Sequence, residues 1–168
     1  MKKQKQILII LIASFIIGIL PTGTVLSEEM KKPAVKYPDG YRDWTHVKSM
    51  VIQQGHPLYD SFGGIHHIYA NQKALESMKS GKPYPDGAVL IFDLLEAKSE
   101  NNSIVEGPRK VVGVMQKDSK KFANTGGWGF EGFKGDTKER VVSDPKSACF
   151  ACHEAKKQTH YVFSDYRK

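Results

Sequence analysis

The stretch SACFACHEAKK, residues 147–157, constrains this chain more strongly than any other part of the sequence. It contains both cysteines of the chain, Cys149 and Cys152, and His153 follows the second of them directly. Three reactive side chains within five residues either share one chemical task or must be kept apart by the fold. Because the spacing C-x-x-C-H is diagnostic of specific chemistry, we treat it as a functional motif.

The residues before the motif predict a helix. Asp144 can accept the first free backbone N–H groups, and Pro145 already holds a helical φ at the first helical position. Side chains three and four residues apart project from the same side of a helix. Cys149, Cys152 and His153 are therefore expected on one face of a C-terminal helix.

Three fates are open to such a trio. Two thiols on one helix face can form thioether bonds with the vinyl groups of one porphyrin while the imidazole ligates its iron, as in c-type haem attachment. A disulfide between Cys149 and Cys152 is the default in an exported protein, but it leaves His153 without a role. A structural zinc site needs four ligands, and His160 is a strained candidate for the fourth. Haem attachment uses all three side chains.

The start of the chain predicts export. Three lysines precede an uncharged apolar run at residues 7–20, and the residues before Glu28 suit cleavage after Ser27. The run is shorter than the roughly 20 residues that span a bilayer, although an uncleaved N-terminal anchor stays open. We expect a signal peptide over residues 1–27, a polar lead-in over 28–36 and one haem domain over 37–168, located in the periplasm.

The charge balance gives no sign of a nucleic-acid partner. The formal net charge is +7, and it falls to +4 once the three signal lysines are removed. The remaining lysines are scattered along the chain and form no stripe with aromatic residues. We therefore predict that the protein does not bind nucleic acid.

The hydrophobic pattern predicts an α+β fold, a mostly antiparallel sheet with packed helices and a C-terminal helix that bears the motif. Five segments rich in β-branched and aromatic residues indicate strands with short or polar connections. They lie within residues 41–54, 63–70, 88–97, 109–117 and 127–133. Asn71 can cap a helix over residues 71–80 that Gly81 ends, and the polar residues 98–103 indicate a hairpin loop.

Six short blocks resemble, in this order, the cytochrome P460 family. They are YRDW (41–44), IHHIYAN (65–71), YPDGAV (84–89), KDSKKFAN (117–124), GWGF (127–130) and CFACH (149–153). This family includes the hydroxylamine-oxidising cytochromes P460 and the β-sheet cytochromes c′, called cytochromes c′-β. The resemblance implies an antiparallel sheet, a homodimer and one covalently attached haem c per chain, with five-coordinate iron held by His153.

One position separates the two branches of that family. In the P460 enzymes a lysine on the strand after the Asp-Gly turn (86–87 here) is joined covalently to the porphyrin edge, and the corresponding residue of this chain is Phe92. The cytochromes c′-β instead place phenylalanines over the open face of the iron, and Phe62 and Phe92 match these positions. Because Leu90 and Leu94 share the side of Phe92 on an alternating strand, simple core packing is the alternative role for this ring.

An apolar cap of this kind favours NO or CO over O₂, because bound O₂ gains from a hydrogen-bond donor. The resemblance therefore implies an exported protein that binds NO, or CO, for sensing, scavenging or transfer, closer to the cytochromes c′-β. Hydroxylamine oxidation is the alternative, and simple electron transfer is a third possibility in which a methionine completes the iron coordination. The candidate methionines are Met50, Met78 and Met115, and the sequence identifies no electron donor.

Two neighbouring histidines complicate the apolar pocket. His66 and His67 alternate on a predicted strand, so one must point to each face of the sheet. Either could be a proton donor near the iron, although a surface or hydrogen-bonded structural role is favoured for each.

Overall fold

A computed structural model describes residues 35–167. The predicted signal peptide, the possible uncleaved anchor and the lead-in up to residue 34 lie outside the described residues. Among residues 35–167, no helix combines the length and the apolar character that a membrane-spanning segment needs.

Five strands form one sheet in which every neighbouring pair is antiparallel, as the sequence predicts. Their order in the sheet follows their order in the chain. The strands are β1 (Thr45–Ile52), β2 (Gly64–Ala70), β3 (Val89–Glu100), β4 (Ser103–Lys117) and β5 (Trp128–Lys134). This confirms the predicted α+β fold class, because consecutive hairpins with short connections lead to such a meander.

The connection between β3 and β4 is tighter than predicted. The polar stretch 98–103 was expected to be a loop, but both strands continue through it and only Asn101 and Asn102 turn the chain. Their φ angles are +48° and +59°. Asparagine tolerates this left-handed region, and a two-residue turn of this kind matches the twist of the flanking strands.

Two helices flank β2 in the chain, and Phe62 ends the first of them. Helix α1 (Tyr59–Phe62) leads directly into β2, and α2 (Gln72–Ser80) follows it. Asn71 Oδ1 accepts the backbone N–H of Ala74 at 3.0 Å, which confirms the predicted cap, and also the N–H of Val89 at 3.0 Å. This one side chain therefore fixes both the start of α2 and the start of β3.

The two faces of the sheet bury different clusters. On the face that we call the helical face, Ala70, Leu90 and Phe130 pack with residues of α2 and of the C-terminal segment. The opposite face buries Tyr69, Ile91, Val112, Val114 and Phe133 against Val35 and Tyr41. Because side chains alternate along a strand, β2, β3 and β5 each contribute buried residues to both clusters.

The C-terminal segment is helical, but it is not the single α-helix that we predicted. A π-helical turn (Lys146–Phe150) is followed by α3 (Ala151–His153) and by a 3₁₀ stretch (Glu154–Thr159). Asp144 Oδ1 accepts the backbone N–H of Lys146 at 3.1 Å, so the predicted capping role of this residue holds. Wide π turns inside helices often occur at functional sites.

Candidate haem-binding site

Cys149 and Cys152 differ in their surroundings because the helix type changes between them. Cys149 lies in the π turn, is half-buried and packs against the cluster of the helical face, whereas Cys152 lies in α3 and is exposed. The helix that carries the motif is therefore not a regular α-helix, as we had expected, and the prediction that the three side chains share one face stays a prediction. All three motif side chains nevertheless lie on one short helical segment.

The two cysteines are free thiols in the structure. Burial, followed by the negative charge of Glu131, raises the pKa of the Cys149 thiol to about 11. Such a group stays protonated at neutral pH, and a thiol is a weak nucleophile and a weak metal ligand compared with a thiolate.

The imidazole of His153 is held in one orientation. Its Nδ1 atom lies 2.7 Å from the backbone oxygen of Tyr161. Since a carbonyl oxygen can only accept, Nδ1 carries the proton and Nε2 keeps its lone pair. Burial lowers the pKa of His153, and its ring packs 4.9 Å from the rings of both Phe130 and Phe163. A neutral, oriented imidazole with a free Nε2 has the state that an axial metal ligand requires.

A strained turn presents the carbonyl group that orients His153. His160 and Tyr161 both adopt left-handed conformations, with φ angles of +57° and +68°. The indole N–H of Trp128 donates to His160 O at 3.0 Å, and Gly126 leaves room for the Tyr161 ring, which a Cβ at that position would approach to 2.5 Å. Two consecutive left-handed residues persist only where the surrounding structure holds them.

The two predicted cap residues lie together. The ring centroids of Phe62 and Phe92 are 5.8 Å apart in an edge-to-face arrangement. Phe62 ends α1 and is 40% exposed, and Phe92 in β3 is only half-buried. Simple core packing would bury both rings, so it does not describe this pair. We call Phe62 and Phe92 the phenylalanine pair.

Beside this pair, two glycines on the helical face lie under neighbouring side chains. Phe92 is paired with Gly113 of β4, and Gly113 with Gly132 of β5. A Cβ at Gly113 would lie 3.2 Å from Phe92 Cβ, and one at Gly132 would lie 2.9 Å from Val141 Cγ2. Cys149 packs against this face of the sheet, and the ring of His153 lies against Phe130 on the same face. The two thiols and the neutral imidazole of the motif are the groups that would hold a c-type haem.

His66 also lies on this side. It is 4% exposed, its ring centroid is 4.6 Å from that of Phe92, and its Nδ1 atom has no hydrogen-bond partner within residues 35–167. Burial, with smaller effects of His67 and Lys48, lowers the pKa of His66 to about 4. The favoured structural role, with hydrogen bonds, is therefore wrong for His66. Strand alternation within IHHIYA shows that His66 and His67 point to opposite faces, but it does not show which of them lacks a partner.

His67 points to the opposite face, as strand alternation predicts. Its Nε2 atom lies 2.6 Å from Glu106 Oε1, and its Nδ1 atom lies 2.6 Å from Ser49 Oγ. Because the carboxylate accepts, Nε2–H donates to Glu106 and Nδ1 accepts from the hydroxyl group. His67 is therefore the hydrogen-bonded structural histidine that was expected.

The side chains that the alternative zinc and histidine–methionine sites would need do not lie together in the described residues. Within residues 35–167, no three His, Cys, Asp or Glu side chains converge in a way that could hold a metal ion, so His160 does not complete a zinc site. Met78 and Met115 pack against the core cluster of the helical face, and Met50 is 48% exposed. Methionine in such positions serves as a core filler or surface residue.

The buried neutral state of His66 predicts a dependence of stability on pH. In the unfolded chain a histidine has a pKa near 6.5, whereas His66 titrates at about 4 in the fold. Between these pH values the unfolded state binds more protons at this position than the folded state. The contribution of the neutral His66 to the free energy of unfolding is therefore complete above pH 6.5 and is lost as the pH falls towards 4. At about 1.4 kcal/mol per pH unit, the loss amounts to up to about 3 kcal/mol.

Urea unfolding of the purified protein between pH 7 and pH 4 measures this loss. The variant His66→Leu removes the titrating group, so its stability should fall less steeply over the same range. Equal slopes for the two proteins would contradict the assignment of a buried neutral imidazole to His66.

A family model described as Cytochrome P460 matches residues 38–164. A search of curated proteins found no match. The matched residues include all five strands, the phenylalanine pair, His66 and the complete cysteine and histidine motif.

Proposed function

The chain belongs to the cytochrome P460 family, whose members are c-type haem proteins, and from this premise we propose that it binds NO, and also CO, without turning it over. The observation that carries the proposal is the phenylalanine pair. By the family resemblance Phe92 corresponds to the cross-linking lysine of the enzymes, and its ring meets Phe62 at 5.8 Å on the side of the sheet that carries the motif.

The motif supplies the groups that would hold one haem c per chain. Cys149 and Cys152 would carry the thioether links, and Nε2 of His153 would ligate the iron. When bound, the haem supplies an iron atom with an open coordination position for a diatomic ligand. The hydrogen bond from His153 Nδ1 to Tyr161 O fixes the direction of the imidazole, and burial lowers its pKa, which favours the neutral form.

The phenylalanine pair would select the ligand. Phenyl rings donate no conventional hydrogen bond, so they give no support to bound O₂, whereas NO and CO bind ferrous iron well without such support. The same rings exclude water and leave little room for a large sixth ligand. An apolar, crowded pocket therefore favours a small neutral gas molecule.

Hydroxylamine oxidation remains the second candidate function, and one residue supports it. Lys48 of β1 lies close enough to His66 for its positive charge to contribute to the lowered pKa of that histidine. Lys48 is paired with Ile68, which packs against the core cluster of the helical face. A cross-link to the haem would need such a lysine, and a peptide map of the holoprotein would reveal it.

The predicted signal peptide and the family resemblance suggest where the protein would act. An exported haem protein of this kind would act in the periplasm as a homodimer and would sense, scavenge or transfer NO.

The test of the proposal is hydroxylamine turnover with an artificial electron acceptor. We expect negligible turnover by the wild-type holoprotein and a peptide map with two thioether links and no third link.

Phe92→Ala should admit small ligands faster and lower stability by about 1–2 kcal/mol, less than for a fully buried ring, because Phe92 is half-buried. In Phe92→Lys the new amine should lie near the porphyrin edge.

A matched control uses a ring on the other face. Phe133 is 1% exposed and belongs to the cluster of the opposite face. Phe133→Leu should therefore lower stability without changing the rate of ligand entry. Rapid hydroxylamine oxidation by the wild-type protein, together with a third haem link, would exclude the proposed binding function.

A further inference from the structure

His66 is a buried polar side chain that lacks a partner. Its Nδ1 atom makes no hydrogen bond with any described residue. Water cannot easily supply the missing bond, because the residue is only 4% exposed. Buried polar atoms in native proteins are nearly always paired with protein groups, bound water or ligands. An orphaned imidazole nitrogen therefore indicates a partner that is not part of the protein.

The neighbours of His66 explain why the protein supplies no partner. In the sheet His66 is paired with Met50 on one side and Leu94 on the other, and the Phe92 ring lies 4.6 Å away. None of these three side chains offers a strong donor or acceptor. Lys48 lies nearby but makes no hydrogen bond with His66, and His67 is already bonded on the opposite face.

We propose that His66 is the hydrogen-bonding group of the ligand pocket, and that its Nδ1 atom binds a small hydrogen-bonding ligand once the Phe92 ring moves aside. The inference rests on the proposed function, since it needs the haem on the helical face. The ligand class is a molecule or ion of one or two heavy atoms with a donor or acceptor, such as water, hydroxide, fluoride or hydroxylamine.

Phe92 then has two effects on ligand choice. With its ring in place, NO and CO meet only apolar surface, and His66 does not contribute to their binding. With the ring displaced, a ligand beside it reaches a neutral imidazole, which can donate or accept through Nδ1 depending on its tautomer. The position of the Phe92 side chain therefore decides whether a ligand meets only apolar groups or also the imidazole of His66.

Fluoride is a suitable probe because it is small and only accepts hydrogen bonds. The experiment measures fluoride affinity of the ferric holoprotein by absorption in a Phe92→Ala background, with His66, His66→Asn or His66→Leu. Asparagine keeps a polar atom near the position of Nδ1, whereas leucine keeps only bulk. Phe92→Val serves as a second background if Phe92→Ala does not fold.

We expect His66→Leu to weaken fluoride binding about tenfold, the effect of one lost hydrogen bond, and His66→Asn to stay within about threefold of its parent. CO affinity of the ferrous proteins should change less than fluoride affinity. Equal fluoride affinities in the three proteins would overturn the role of His66 while leaving the proposed function intact. A purified protein that carries no haem would instead overturn the proposed function itself.

Discussion

Replacing both cysteines, Cys149→Ser with Cys152→Ser, should abolish covalent haem attachment. A hydroxyl group does not add to a porphyrin vinyl group as a thiol does, so no thioether can form in the double variant. Intact mass spectrometry of protein from a host that matures c-type cytochromes should show the chain plus one haem for the wild type. The double variant should show the chain alone.

Single substitutions separate the two links. Because Cys149 is half-buried and Cys152 is exposed, Cys149→Ser should also disturb packing on the helical face, whereas Cys152→Ser should not. Each single variant should retain a smaller yield of haem adduct through its remaining thiol. A wild-type chain that carries a Cys149–Cys152 disulfide and no haem would contradict the assignment.

Replacing His153 with alanine should remove the axial ligand while leaving the thioether links in place. The ferrous wild-type protein should be high-spin and five-coordinate, with an iron–histidine vibration in its resonance Raman spectrum. His153→Ala should lose that vibration completely. Added imidazole should restore it in part, because the vacated space between Phe130 and Phe163 has the shape of the missing ring.

His46→Ala is the matched control for this change. His46 is exposed and is bonded to Ser49 Oγ at 2.9 Å, far along the chain from the motif. Its removal should leave the spectrum unchanged. A six-coordinate histidine–methionine spectrum in the wild type would instead identify an electron carrier.

The sequence is sufficient to predict the sheet because its signals are local. Alternating side chains mark all five strands, and Asn71 and Gly81 mark the ends of α2. The hairpin at 98–103 was predicted at the right place, but its turn has two residues and is shorter than the predicted loop. Two asparagines in left-handed conformations let the strands continue, and a polar composition alone does not distinguish such a turn from a loop.

The support of His153 could not be predicted, because it depends on contacts between distant parts of the chain. The left-handed turn at His160 and Tyr161 is held by Trp128 from β5 and by the missing side chain of Gly126. Neither position has a short-range relation to the motif.

The ligand pocket was predicted in part. Family resemblance identifies Phe62 and Phe92, and the fold brings these rings, 30 positions apart in the sequence, to 5.8 Å from each other. Strand alternation predicts that His66 and His67 separate. Which of them lacks a partner depends on cross-strand neighbours such as Met50, whose register becomes visible only in the folded sheet.

The most direct test of the central claim is the absorption spectrum of the reduced holoprotein, recorded without oxygen before and after NO is added. A c-type haem protein with an apolar cap of Phe62 and Phe92 should be five-coordinate at first and should then convert fully to an NO adduct, with no consumption of NO afterwards. A six-coordinate starting spectrum that does not respond to NO would contradict the claim.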